Sequence, residues 1–257
     1  MGPLETALRA RRDEGKKSLV VYLTGGFPGW TRMLEAAAEA GADAIEVGIP
    51  FSDPVMDGPV IQEASEHALR LGTTPINVLE GIRQLDVGVP IAVMTYYNLV
   101  YRFGLERFAA EAKAAGVCAA ILPDLPLEES AEWCSAADTH GIETVMLAAP
   151  TASDERLHRV CQRARGFVYG VGLLGITGER ASLAASALEI ARRLKLQTET
   201  PVLVGVGIST PDQAVQTCAV ADGVIVGSAV VRAMIEQGTP EAIGKLVADF
   251  RNALDAA

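Results

Sequence analysis

Short runs of consecutive β-branched and other apolar residues alternate along this chain with longer stretches whose apolar positions recur every three to four residues. A run that is apolar throughout suits a strand covered on both faces, and the helical recurrence suits a helix laid against a sheet. The alternation therefore predicts βα units around a parallel sheet. Strands are expected at 18–23, 44–47, 90–94, 119–122, 143–147, 166–169, 201–204 and 223–226. Helical runs between them include 31–40, 105–115, 128–140, 154–164, 183–195 and 210–219, with an additional helix near 4–12 ahead of the first strand. Eight such units in one α/β domain covering residues 1–257 predict a (β/α)8 TIM barrel with an additional N-terminal helix. An open doubly wound sheet is the alternative. It calls for G-x-G-x-x-G after the first strand, and Thr24-Gly25-Gly26-Phe27-Pro28 stands there instead. In a barrel the active site lies at the C-terminal mouth of the strands.

Charge and cysteine usage narrow the chemistry. A formal net charge of -10 over 257 residues, with no basic patch, argues against a nucleic-acid surface. A phosphorylated small substrate stays open, because helix N-termini hold phosphate through backbone N–H groups. The charged, helix-like start lacks the apolar stretch of a signal peptide, and no later apolar run approaches spanning length, so a cytoplasmic protein free of the membrane is expected. Cys118, Cys134, Cys161 and Cys218 form no C-x-x-C pair and read as buried thiols. His67, His140 and His158 sit on expected helices without metal-ligand spacing, so no metal is expected.

The segment AIEVGIPFSDPVMDGP, residues 44–59, places one carboxylate inside an apolar strand and another in the loop that follows. Glu46 lies among Ile45, Val47 and Ile49, where desolvation should raise its pKa. Asp57 lies in a D-G turn between Pro54 and Pro59, where amides and water should keep it ionised near neutral pH. Environments that push two carboxylates apart suit a division between acid and base. The same residues also suit a structural ion pair and a turn-forming aspartate. Small residues follow the later strands: Gly178 in GITGER, Gly205 and Gly207 in VGVGIS, and Gly227-Ser228 at the start of the last helical segment. Loops after strands seven and eight, ending in a helix N-terminus, are where barrels bind phosphate, although barrel turns use glycine anyway.

Glu46-Val47-Gly48-Ile49-Pro50-Phe51-Ser52-Asp53-Pro54, followed by Asp57-Gly58-Pro59 and Gln62, resembles the signature of the tryptophan synthase α-subunit family. Further similar pieces are Tyr22-Leu23-Thr24, Met94-Thr95-Tyr96-Tyr97-Asn98, Pro123-Asp124-Leu125-Pro126, Ala149-Pro150-Thr151 and Gly175-Ile176-Thr177-Gly178. With the glycines at 205, 207 and 227 and Ser228, the resemblance runs along essentially the whole chain. It implies retro-aldol cleavage of indole-3-glycerol phosphate to indole and glyceraldehyde 3-phosphate. By the same resemblance Glu46 carries the proton transfers, Asp57 stabilises charge on the indole nitrogen, and Tyr169 lines the site near Glu46. Thr177 belongs to a loop that closes over substrate and bonds Asp57. Phosphate is expected on Gly178, Gly207, Gly227 and Ser228. Tyr22, Ile61, Tyr96 and Leu122 are candidates for the walls around indole, and each also suits plain core. No cofactor is implied.

The resemblance also implies docking on a pyridoxal-phosphate β subunit in an αββα heterotetramer. Residues 50–57 and 98–101 would face that partner, with Pro50, Phe51, Pro54, Val55 and Met56 exposed. Two departures stand out. Gly26-Phe27-Pro28 replaces a frequent Gly-Asp-Pro, and the uncharged Gly170-Val171-Gly172-Leu173-Leu174 replaces a segment that often carries Ser-Arg. A stand-alone lyase, a non-catalytic activator of a β subunit and a different phosphosugar barrel are the competing readings.

Overall fold

The computed structural model describes residues 1–172, 180–205 and 207–257, with 180–184 described by their backbone alone. Eight parallel strands close into a barrel in sequence order: β1 Ser18–Thr24, β2 Ala44–Gly48, β3 Ile91–Met94, β4 Val117–Ile121, β5 Glu143–Ala148, β6 Val168–Gly170, β7 Val202–Val204 and β8 Gly223–Val226. β1 pairs with β2 on one side and β8 on the other, which shuts the sheet on itself and leaves no edge. Among the described residues the helices are α1 Pro3–Asp13, α2 Trp30–Glu39, α3 Pro59–Arg70, α4 Pro75–Arg83, α5 Tyr97–Phe103, α6 Leu105–Ala114, α7 Ala131–His140, α8 Asp154–Arg163, α9 Arg180–Lys195, α10 Pro211–Cys218, α11 Ser228–Glu236 and α12 Pro240–Asp255. The strands are buried at nearly every position, as all-apolar runs require when one face fills the barrel and the other meets the helices.

Most element boundaries agree with the apolar pattern within a residue or two. The sixth strand starts at Val168 rather than 166, because Gly166 takes a left-handed backbone (φ +82°) that a strand cannot contain. The run expected at 128–140 divides into a 3-10 turn, Leu127–Glu129, and α7. Three helix starts share one device. Thr74, Thr210 and Thr239 each accept a hydrogen bond from a first-turn backbone N–H, and each is followed by a proline in the first turn. All four cysteines are buried free thiols. His67 packs its ring 5.1 Å from Phe27, His140 meets Glu106 at 2.9 Å, and His158 meets Gln162 at 2.8 Å, so each histidine has a packing or surface role. No helix among the described residues is long and apolar enough to cross a membrane.

The additional helix α1 is held through its N-terminus. Glu143, at the start of β5, accepts hydrogen bonds from the backbone N–H groups of Gly2 (3.2 Å), Leu4 (2.7 Å) and Glu5 (3.0 Å). One carboxylate thereby satisfies amides that the helix leaves without internal partners, and it sits at the positive end of the helix dipole. Leu4 and Leu8 are completely buried beneath it. Because Glu143 is buried and its three amide partners have no other acceptor among the described residues, Glu143→Ala is expected to destabilise the protein by about 2–3 kcal/mol in urea unfolding. A loss below about 0.5 kcal/mol, the level of an ordinary surface change, would show that this clamp does not hold α1.

Candidate functional site

Alternation along β2 sends Ile45 and Val47 to one face and Glu46 and Gly48 to the other. Glu46 stands opposite Tyr22 of β1 and Ala92 of β3. Only 1% of its surface is exposed, and Oε2 has no hydrogen-bond partner among the described residues. Burial, and secondly the charge of Asp57, push its pKa up to about 8, so the carboxyl is predominantly protonated at neutral pH. That matches the expectation for a carboxyl set in an apolar strand.

Asp57 lies in the loop between β2 and α3 and is half-buried. Asp57 is thus less exposed to water than its D-G turn suggests. Burial raises the Asp57 pKa above its ordinary 3.8, and a hydrogen bond from the Tyr96 hydroxyl opposes the rise. The loop is pinned on several sides. Met56 N–H donates to Tyr96 Oη (3.0 Å), Gln62 Nε2 donates to the Asp57 carbonyl (2.7 Å), and the Phe51 ring stacks on Tyr96 at 5.1 Å. Tyr96 is itself fixed at the head of α5, whose first amide, Tyr97 N–H, donates to Asp124 Oδ1 (2.8 Å). Glu46 loses its proton beside an Asp57 that is already charged, and that charge adds to burial in raising the Glu46 pKa. Asp57 is therefore the first of the two to ionise.

Two tyrosines flank this pair through glycine slots. A side chain at Gly48 would overlap the Tyr22 hydroxyl, and one at Gly205 would overlap the Tyr169 hydroxyl. Burial pushes both phenols well above their ordinary range. For Tyr22 the charges of Asp57 and then Glu46 add to this, and for Tyr169 that of Glu46 leads. The structure thus gathers Glu46, Asp57, Tyr22 and Tyr169 at the mouth. Gly205, grouped from the sequence with the phosphate glycines, instead makes room for Tyr169. Gly48 and Gly205 carried a signal that was missed: each is a glycine at the end of a strand beside an inward tyrosine.

The remaining expected residues fall around this cluster. Gly227 lies beside Tyr22 and Ile61, since a Cβ built on it would stand 3.7 Å from Tyr22 Cβ and 3.9 Å from Ile61 Cδ1. It is the N-cap of α11, which Ser228 opens. Gly207 takes φ +85° in the loop after β7. Tyr96 is buried, and Leu122 lines a cavity of about 550 Å³ with Met56, Pro123 and Leu147 beside the cluster. Thr177 and Gly178 lie outside the described residues. In the β2–α3 loop Val55 (75%) and Met56 (49%) are exposed as expected. Pro50 is not: directly after Ile49, whose N–H bonds the Met94 carbonyl, it is buried, and Phe51 and Pro54 are half-buried. Phe27 is buried against His67.

With this geometry in place, comparison with known proteins is consistent throughout. The family model described as "Tryptophan synthase alpha chain" matches residues 8–254. The curated Tryptophan synthase alpha chain of Streptomyces coelicolor is 47% identical over 91% of this chain and 88% of its own length. The corresponding chain of Geobacter sulfurreducens is 45% identical over 95% and 94%. Among solved structures, tryptophan synthase subunit alpha from Legionella pneumophila superposes with a TM-score of 0.90 at 35% identity, covering 100% of both chains. A chain of the M. tuberculosis tryptophan synthase in its aminoacrylate-bound form gives 0.89 at 34% identity, covering 99% of this chain and 100% of that one.

The buried carboxyl has a signature in stability. Between its ordinary pKa of 4.5 and about 8, folded Glu46 holds a proton that the unfolded chain has released, so stability falls as pH rises through this window. Glu46→Gln carries no such cost, and its melting temperature relative to the unchanged protein is expected to climb from pH 5 to pH 9. A difference that stays flat across that range would mean Glu46 titrates as an ordinary exposed glutamate.

Proposed function

The chain belongs to the tryptophan synthase alpha chain family, and on that footing we propose how its residues carry the family's reaction. It is the lyase of tryptophan biosynthesis that cleaves indole-3-glycerol phosphate to indole and glyceraldehyde 3-phosphate. The observation that carries the residue assignment is a buried carboxyl, protonated at neutral pH, beside a second carboxyl that ionises before it.

Indole C3 departs from the glycerol chain only once it has accepted a proton. Neutral Glu46 donates that proton, and the ring nitrogen becomes an iminium. The Asp57 carboxylate accepts a hydrogen bond from the ring N–H and stabilises the positive charge as it develops. Glu46, now a carboxylate, takes the proton of the glycerol hydroxyl on the carbon next to the ring. The carbon–carbon bond then breaks, its electron pair returns to the ring to restore indole, and the hydroxyl carbon becomes the aldehyde. The ring is its own electron sink, so the sequence of steps draws on no cofactor.

Tyr22, Ile61, Tyr96 and Leu122 form the walls for indole in this reading, with Tyr169 beside Glu46. Gly178, Gly207, Gly227 and Ser228 hold phosphate through backbone N–H groups, and the dipole of α11 favours the dianion. Thr177 closes over Asp57 and excludes water. Residues 1–257 act as one barrel. Partnership with a β subunit belongs to the family, and we assign this chain to an αββα assembly docked through the β2–α3 loop and α5. Exposed Val55, Met56 and Tyr101 support that surface. Four free, buried thiols accord with a reducing, cytoplasmic setting.

Removal of the proton carrier should be severe for chemistry and mild for binding. Glu46→Gln is expected to lower turnover by about 10²–10⁴-fold while leaving affinity for a phosphate ligand within several-fold. Retention of more than about a tenth of the normal rate contradicts the assignment.

The pH profile of kcat/KM gives a separate check. It should be bell-shaped, falling above about 8 as Glu46 loses its proton, and falling on the acid side as Asp57 is protonated, above the ordinary aspartate value. In Asp57→Asn most activity disappears, and the basic limb of the remainder moves to lower pH because the neighbouring charge is gone. A basic limb that stays in place would separate Asp57 from Glu46.

A further inference from the structure

The loop after β7 and the start of α11 enclose a cavity of about 290 Å³ lined by Ser209, Ser228, Ala229, Arg232, Ala233 and Glu236, among others. Arg232 lies one helical turn beyond Ser228, on the same face of α11. Side chains in a helix lean toward its N-terminus, so a residue covers the turn before its own Cα. For Arg232 that is the turn carrying Ser228 and the free N–H groups of α11. The alanines at 229 and 233 leave the intervening groove open. Arg232 is exposed and has no hydrogen bond or ion pair among the described residues, unlike Arg251 or Arg193, which are committed to carboxylates. Glu236 shares the cavity but makes no ion pair with it among the described residues.

We propose that Arg232 is the charged arm of the phosphate site, drawing the substrate's dianionic phosphate through the Ser209–Ser228 cavity onto the loops after β7 and β8. This rests on the reading that those loops hold phosphate. The need is physical: the chain carries a net charge of -10, so a dianion approaches against a repelling field unless a local cation reverses it at the entrance. Backbone N–H groups supply geometry at the end point but little attraction at a distance. A guanidinium unpaired among the described residues supplies the attraction and a planar donor fork for the phosphate oxygens. Glu236, one turn farther along α11, opposes it, so the two side chains set the local field with opposite signs.

The test is calorimetric titration of the purified chain with inorganic phosphate, in about 0.01 M and about 1 M potassium chloride, where the Debye length shrinks from about 30 Å to about 3 Å. Arg232→Ala is expected to weaken binding about 3–10-fold at low salt, with the difference nearly erased at high salt, and KM for indole-3-glycerol phosphate should rise by a similar factor. Glu236→Gln should tighten binding at low salt. Gly227→Val, which adds a branched side chain at the N-cap of α11, should abolish binding at both salt concentrations. If Arg232→Ala binds phosphate normally at low salt while Gly227→Val does not, the role of Arg232 is overturned and the phosphate loops stand. If binding survives Gly227→Val, the loop reading fails and the inference falls with it. A loss in Arg232→Ala that is unchanged by salt marks a structural effect and likewise overturns the proposal.

Discussion

Excluding water from the Glu46 carboxyl is the constraint on which the mouth of the barrel depends. An ionised carboxylate with an unpartnered oxygen, set in a strand that is closed on both sides, is far too costly to persist at neutral pH, and the group responds by keeping its proton. The rest of the mouth follows from preserving that condition. No arginine or lysine neutralises Glu46 among the described residues, and the nearest charge acting on it is negative. A cation there would hold the carboxylate ionised and remove the acid.

The two carboxylates are carried by unlike parts of the fold. Glu46 rides on a central strand whose neighbours on both sides fix its height in the barrel. Asp57 rides on a loop, and the loop's rigidity is borrowed from elsewhere: Tyr96 holds it through Met56, Phe51 and Asp57, and Asp124 holds the helix that follows Tyr96. The acid thus belongs to the scaffold and the anion to a loop tied down from β3 and β4. The same loop carries the exposed side chains of Val55 and Met56, while the strand beneath it is buried.

Features that depend on local pattern were readable from the chain. The strands show as apolar runs because both their faces are buried, and the raised pKa of Glu46 follows from its immediate neighbours. Features set by residues distant in sequence were not. The environment of Asp57 depends on Tyr96, 39 positions later, so a D-G turn that looks solvated is in fact half-buried. Gly205 reads as a phosphate glycine from its own motif, and only the position of Tyr169 on the adjacent strand reveals the slot. Pro50 reads as loop surface but is drawn inward by the bond between Ile49 and Met94. The family resemblance supplied the roles of these residues, which spacing alone left open.

The clamp between Glu143 and α1 joins groups separated by 138 to 141 positions. On the ribosome, α1 must therefore wait, with its leading amides uncapped, until the first four strands and Glu143 have been translated. Leu4 and Leu8 are completely buried once α1 is in place. A helix made before β1 is thus anchored only when β5 appears, which makes the nascent half-barrel the stage at which this protein most needs protection from its neighbours.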